Sequence, residues 1–330
     1  MGNLAEIAKA LVSPAEKLID GMQKALGKAY EPRYLKRMAD AQAYQLKKIG
    51  EAMRENSDIP IVYNKEGLSL STTDYEEFVK RAQNRMAFQE LRKQENIETV
   101  AGKALGLLEG KPEVEKESVD VDWLVEFFNS VENIGNEEMQ DLWARLLAGE
   151  IQHSGTFSLR TMDRLSSISQ NEAKTFERLL EKALCTHNNS FILSNRDFSS
   201  LEYAYNEIML MNECGLIDST PFLTTNVDVT FAFSAPILWS DNDVITARAK
   251  EGQKIIRLSI HPLTKVGKEL SKIVGFNMLT QDIEKIADAL GQRHNDVVFK
   301  VKKITEHHEN SFSFEPDEEE IKEMEEKTKK

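Results

Sequence analysis

Residues 120–168 decide the fold, and they read DVDWLVEFFNSVENIGNEEMQDLWARLLAGEIQHSGTFSLRTMDRLSSI. Apolar residues recur every three or four positions in 123–131 and again in 139–151, which is the spacing of helices with one buried face. A shorter third helix follows the turn at 153–157. Three amphipathic helices joined by brief turns predict a packed central module over residues 118–168, and this arrangement favours an interaction scaffold over an enzyme.

Residues 1–109 are predicted to form an N-terminal helical arm. Apolar residues recur at helical spacing from the start of the chain, beginning with Leu4, Ile7 and Leu11. Packing of this stripe on the protein itself is the favoured interpretation; contact with a protein partner or, transiently, with a membrane surface is the alternative. A long helix is predicted from about Thr73 to Leu108, because no Pro interrupts it, and this length is typical of a helical bundle or a coiled-coil arm.

Residues 169–305 show a mixed order of helices and strands. Ser169 and Glu172 have the spacing of a capping box and predict the start of a helix. The order is this helix, a short strand, a second helix, the pair Leu216-Ile217, alternating strands within 227–260, and the sequence LTKVGKEL at 263–270. This order resembles a winged helix-turn-helix unit, which implies an α+β domain with its recognition helix at 201–214. Residues 306–330 are rich in Glu and are predicted to form an acidic, solvated tail.

The charges of this region weigh against DNA as its partner. Residues 197–247 contain eight Asp or Glu side chains and no Lys or Arg. DNA-binding surfaces neutralise phosphates with basic side chains, so a duplex is expected to repel this surface. Protein contact or dimerisation is the favoured interpretation, and a nucleic-acid-binding regulator is the alternative.

Glu150 is the residue of the central module that most needs an explanation. It lies at the edge of the apolar stripe that contains Trp143, where an unpaired buried carboxylate costs several kcal/mol. Arg160 is the nearest cation in sequence beyond the turn, so a buried ion pair is the favoured interpretation. The alternative is a hydrolase that uses Glu150 or neighbouring acids, although the sequence indicates no second acid or base for it. Trp143, Arg145, Glu150 and Arg160 join the N-terminal stripe as candidate interaction residues.

No complete catalytic, cofactor or metal motif occurs in the chain. The two cysteines and six scattered histidines match no disulfide framework and no metal spacing, so neither a cofactor nor a metal is expected. No apolar run is long enough for a bilayer span, and no signal peptide is indicated, so a cytosolic protein is predicted. Residues 1–56 carry a net charge of +3 while the whole chain carries −13. This slightly basic arm is compatible with peripheral contact at the inner membrane.

Four stretches carry a resemblance to known proteins: PAEKLI at 14–19, EPRYLKRMA at 31–39, QELRKQENIE at 89–98 and LWARLLAGEI at 142–151. Together they resemble an uncharacterised family of bacterial cytoplasmic proteins that carries a domain-of-unknown-function label. The chain is similar, more distantly, to the alpha-type abortive-infection proteins of phage-resistance loci. This resemblance implies a role in bacterial phage defence, and it brings no catalytic residues with it.

These observations predict a mainly α protein in four parts. A helical arm (1–109) and a helical module (118–168) precede a winged-helix-like α+β unit (169–305) and an acidic tail (306–330). The predicted function is that of a non-enzymatic cytosolic interaction protein, a sensor or effector in phage defence. Its predicted partners are proteins, with self-association through the long helix, and DNA is the less favoured partner.

Overall fold

The structure is a computed structural model that describes residues 11–27, 72–115, 119–187, 189–196, 198, 201–220, 223–276, 278–307 and 311–316. The chain divides into two compact units, residues 1–166 and residues 167–330. Each unit has its own elements and its own core.

The first unit is built from helices and one short ladder. Its helices are α1 (Pro14–Leu26), α2 (Thr72–Leu108), α3 (Val121–Val131), α4 (Glu137–Gln152) and α5 (Leu159–Ser167). The ladder pairs β1 (Leu11–Val12) with β2 (Val114–Glu115) in antiparallel fashion. Side-chain oxygens of Ser13, Asp120 and Asn136 accept backbone N–H groups at the starts of α1, α3 and α4, which satisfies donors that a helix leaves unpaired.

The core of this unit lies where α2, α3 and α4 pack together and α1 packs against α3. Phe127, Phe128 and Trp143 are its largest fully buried side chains. The Phe127 ring meets Phe128 at 5.3 Å and Trp143 at 5.5 Å between centroids, both edge to face. The amphipathic spacing read from residues 120–151 therefore corresponds to this core.

The second unit combines four helices and eight strands among its described residues. The helices are α6 (Gln170–Leu180), α7 (Tyr205–Glu213), α8 (Lys265–Val274) and α9 (Thr280–Arg293). The strands are β3 (Ala183–Cys185), β4 (Ser190–Leu193), β5 (Thr224–Thr230), β6 (Ala235–Trp239), β7 (Asp243–Ala249), β8 (Gln253–Pro262), β9 (Val297–His307) and β10 (Phe312–Phe314).

All eight strands belong to one antiparallel sheet with the order β10-β9-β7-β6-β3-β4-β8-β5. Its two halves are joined by a single residue pair, Cys185 of β3 with Trp239 of β6. Cα atoms of β5 come within 8 Å of β6 and β7, so the sheet curls over its core. That core collects apolar side chains from most strands and from α9, including Ile283, Ile286 and Leu290.

The prediction of a mainly α protein with a winged-helix-like unit is wrong, and so is the description of the chain as a helical bundle. The strands expected as a wing do form, but they join β3, β4, β6 and β9 in a sheet of eight strands. Alternation of apolar and polar residues reports which residues face a core, and it carries no information on how many neighbours a strand has. The nucleic-acid alternative thereby loses the fold on which it rested.

Several local predictions are confirmed. Ser169 and Glu172 form a capping box at the start of α6. The long helix extends over Thr72–Leu108, close to its predicted bounds. Leu4, Ile7 and most of the acidic tail lie outside the described residues, and the backbone of Leu11 belongs to β1. The division into four parts stays a prediction.

Candidate functional site

The Glu150 side chain closes the turn between α4 and α5. It is 2% exposed. One carboxylate oxygen accepts the Gly155 N–H at 2.5 Å, and the other accepts the Phe157 N–H at 2.9 Å. Burial raises the pKa of Glu150 above its ordinary value, although these backbone donors and the charge of Lys17 oppose the shift. The expected ion pair with Arg160 does not form; the backbone of the turn supplies the partners.

Two further side chains hold the same turn from other helices. Lys17 of α1 donates from Nζ to Ser154 Oγ at 3.0 Å, and Trp123 of α3 donates from Nε1 to the Phe157 carbonyl at 2.8 Å. α1, α3 and α4 thus converge on one loop of five residues. A carboxylate whose two oxygens accept backbone N–H groups acts as a structural cap, and this geometry assigns Glu150 to the stability of the first unit.

The other candidate residues of this unit lie in different surroundings. Trp143 is fully buried in the core, whereas Arg145 and Arg160 are exposed on α4 and α5. No sequence pattern indicates Lys17 as part of this arrangement, because α1 and the turn are separated by more than a hundred residues. Whether Arg145 and Arg160 contact a partner stays a prediction.

An ion pair between the buried Asp243 and the half-exposed Lys303 ties β7, β9 and α9 of the second unit together. Asp243 lies with one oxygen 2.7 Å from Lys303 Nζ, and its other oxygen accepts the Thr280 hydroxyl at 2.9 Å. Lys303 also donates to Thr280 Oγ1 at 2.6 Å. Such a triad fixes the start of α9 on the sheet. Within the described part of the chain, no group of three or more His, Cys, Asp or Glu side chains is arranged to hold a metal ion.

His261 of β8 is a second buried titratable group of this unit. It is 9% exposed, and its Nδ1 has no hydrogen-bond partner among the described residues. The rings of Tyr203 and Tyr205 flank it at 6.4 and 6.5 Å. Burial lowers the pKa of His261 below its ordinary value of 6.5, and the carboxylate of Asp218 opposes this shift.

We expect the second unit to lose stability in mild acid through His261. Because the folded-state pKa is depressed, the contribution of neutral His261 is complete above pH 6.5 and is lost as the pH falls through the folded-state pKa. The free energy of unfolding measured in urea between pH 8 and 5 should show this fall, and His261→Phe should flatten it. His187→Gln, at an exposed histidine, is the control and should keep the wild-type slope. An equal slope in His261→Phe would assign the pH dependence to other groups.

The two most exposed large apolar side chains among the described residues of the first unit, Met86 and Phe78, lie on one half of α2. Residues 72–95, here called the outer half of α2, include Phe78, Met86, Phe88 and Leu91 at 52%, 61%, 45% and 41% exposure. The helix enters the core only from Asn96, whose side chain donates to the Glu132 carbonyl. Lys93 pairs with Glu132 at 2.9 Å and marks the border.

The exposed apolar residues of the outer half of α2 lie on the same face of the helix as the residues that are buried in its C-terminal half. Phe78, Ala82 and Met86 follow one another at four-residue spacing and lead into the line of Val100 and Ala104, which are fully buried. At 1.5 Å per residue the outer half is about 36 Å long. The same seam thus serves as core at one end and as an exposed apolar surface at the other.

The fold and these contacts define an α+β protein of two units, in which the described polar clusters hold elements together and one helix of the first unit carries exposed apolar side chains. The chain belongs to the DUF2806 family, described as a protein of unknown function, whose model matches residues 80–286. No curated protein and no solved structure matches the chain. The predicted membership of an uncharacterised domain family is confirmed, and the match gives no link to abortive-infection proteins. Among the described residues, no helix combines the length and apolar character of a bilayer span.

Proposed function

We propose that this protein is a non-enzymatic interaction protein that self-associates through the outer half of α2. The observation that carries the proposal is the exposure of Phe78 and Met86 on the seam that forms the core further along the same helix. Fully burying one such side chain is worth about 1.5–3 kcal/mol. Two copies that bury these residues against each other gain this energy twice.

The polar residues of the outer half support a second copy as the partner. Within one helix, Glu77 lies 3.7 Å from Arg81 and Glu90 lies 3.5 Å from Lys93, and such exposed pairs contribute only a few tenths of a kcal/mol each. An antiparallel arrangement of two outer halves places the acidic start of one helix beside Arg92 of the other. Opposite charges then face each other at both ends of the contact, which favours this orientation.

Sedimentation analysis of the full chain tests the proposal. Phe78→Glu/Met86→Glu adds four carboxylates to the contact of two copies. Because Phe78 and Met86 are already about half buried within one copy, the four side chains together lose about 3 kcal/mol of burial or more, so we expect self-association to weaken at least about 100-fold. The matched control is Val125→Glu/Leu159→Glu, which adds the same charge at exposed apolar positions of α3 and α5. A variant with the mass distribution of the wild type, or a control that dissociates equally, would contradict the proposal.

The location of the protein and its biological setting extend this proposal. A cytoplasmic protein with transient contact at the inner membrane is supported by the slightly basic residues 1–56 and by their apolar stripe. A role in phage defence rests on the distant resemblance alone and stays a prediction.

A further inference from the structure

Strand β5 forms one edge of the sheet. All seven of its residues pair with β8 in unbroken register, from Thr224 opposite Ser259 to Thr230 opposite Gln253. No other strand pairs with β5 among the described residues. An edge of this kind presents a row of unpaired backbone donors and acceptors to the solvent.

The hydrogen bonds at the two ends of β5 show which residues face outward. The Leu223 carbonyl accepts the Ile260 N–H at 2.9 Å, and the Phe231 N–H donates to the Gly252 carbonyl at 3.1 Å. Because bonding alternates along an antiparallel strand, odd-numbered residues bond to β8. Residues 224, 226, 228 and 230 therefore direct their N–H and C=O groups to the open side.

Most of the usual protections of an exposed edge are missing from β5, and the charge of Asp228 is the exception. It contains no Pro and no Lys, its register has no bulge, and seven residues make it longer than a minimal edge strand. Exposed apolar side chains lie beside it. Phe231 and Phe233 follow the strand at 55% and 60% exposure, and Ile255, opposite Asp228 on β8, is 64% exposed.

We infer that the β5 edge pairs with β5 of a second copy, antiparallel, with Val227 opposite Val227 across a twofold axis. This register makes residues 224 and 230, and residues 226 and 228, the hydrogen-bonded pairs between copies, and these are the residues with outward backbone groups. It also overlaps all seven residues of both strands. The two curled sheets then become one continuous sheet, and the shared contact is closed by its twofold symmetry.

Side-chain contacts favour this register over the two registers that are shifted to either side of it. On the outer face, the exposed amide of Asn226 meets the exposed carboxylate of Asp228 from the other copy, and the symmetry repeats this pair. A shift that places Asp228 opposite Asp228 sets like charges against each other. The opposite shift pairs Asn226 with itself and overlaps five residues in place of seven.

A charge swap tests the register directly. The four proteins are wild type, Asn226→Asp, Asp228→Asn, and the double swap Asn226→Asp/Asp228→Asn, each measured by sedimentation of the full chain. Asn226→Asp sets aspartates opposite each other twice, and we expect association to weaken about tenfold or more. Asp228→Asn should associate within about threefold of wild type, and the double swap should restore association because the pair is reversed and complementary.

The same three variants in the Phe78→Glu/Met86→Glu background, measured beside that background protein itself, separate this contact from the one through α2. If the protein does not self-associate through α2, the Phe78→Glu/Met86→Glu substitutions leave self-association unchanged. Asn226→Asp then still weakens it. Thermal unfolding verifies that the exposed substitutions leave the fold intact. The inference is overturned if the Phe78→Glu/Met86→Glu protein is monomeric at about 100 μM. A monomer is the result expected if β5 instead pairs with a strand of a different protein. A double swap that associates as weakly as Asn226→Asp also overturns the inference.

Discussion

Replacement of Gly267 by Ala is expected to destabilise the second unit by about 2–4 kcal/mol. A Cβ atom at this position of α8 would lie 2.1 Å from the Leu216 carbonyl oxygen, a backbone atom that cannot move aside as a side chain can. Within an exposed helix the same change would stabilise by about 1 kcal/mol, so the clash decides the sign. Urea unfolding followed by hydrogen exchange in residues 205–217 and 263–274 measures the loss.

The local contacts explain why the start of α8 approaches the backbone of residues 215–217 so closely at Gly267. Thr264 donates from its hydroxyl to the Gly215 carbonyl at 2.7 Å, and that hydroxyl accepts the Gly267 N–H at 3.1 Å. The Thr264 N–H donates to the Leu216 carbonyl at 2.9 Å. The first turn of α8 is thus bound against the extended backbone that follows α7, and any Cβ at position 267 forces them apart.

Gly291→Ala is the matched control for this prediction. Gly291 lies in α9 of the same unit, and a Cβ there meets only the Phe299 ring at 3.9 Å, an ordinary van der Waals distance. We expect this variant to be as stable as the wild type or up to about 1 kcal/mol more stable. If Gly267→Ala were equally harmless, the close packing of α8 on residues 215–217 would not exist in solution.

Replacement of Glu150 by Leu is expected to destabilise the first unit by about 3 kcal/mol. The change removes the acceptor of two N–H groups. The buried donor of Phe157 costs about 1–3 kcal/mol when it is left unpaired, and the part-buried donor of Gly155 costs less. Glu150→Gln keeps one acceptor oxygen and removes the buried charge, so we expect it to cost clearly less than Glu150→Leu. Glu126→Leu, at an exposed Glu of α3, is the control and should change the free energy of unfolding by less than about 0.5 kcal/mol.

The pH dependence of the same variants separates the carboxylate from simple packing. Because burial raises the pKa of Glu150 above 4.5 in the folded state, the protonated form favours folding. The free energy of unfolding should therefore fall as the pH rises from 4.5 through the folded-state pKa, and this fall should be absent in Glu150→Gln. An unchanged fall in the glutamine variant would assign it to another carboxyl group.

The sequence predicts an element correctly where the pattern that defines the element lies within its own residues. The apolar spacing of residues 123–131 and 139–151 predicted α3 and α4, and the capping box at Ser169 located the start of α6. The same reasoning identified Glu150 as a residue that needs a partner. It named Arg160 because backbone N–H groups leave no mark in a sequence, and every residue except Pro has one.

The sheet could not be predicted because its pairings are distant in sequence. β6 contains Pro236, which weakens its pattern as a strand, and it joins β3 through one residue pair only. The motif at 263–270 was recognised, but its glycine serves a close contact with Leu216 that occurs without a DNA-binding wing. The open edge of β5 follows from the order of the strands in the sheet, and no local sequence pattern encodes that order.

The long-range pairing of this sheet also has a consequence for the rate at which the protein forms. Ile192 of β4 pairs with His261 of β8, and Val244 of β7 pairs with Lys302 of β9, so the chain closes loops of some sixty or seventy residues before the ladders are complete. Domains dominated by such contacts fold in milliseconds to seconds, far more slowly than helices form. A newly synthesised chain therefore exposes unpaired strands for longer than it exposes unfolded helices. The two halves of the sheet must dock at the junction of Cys185 and Trp239, where a single residue pair joins them.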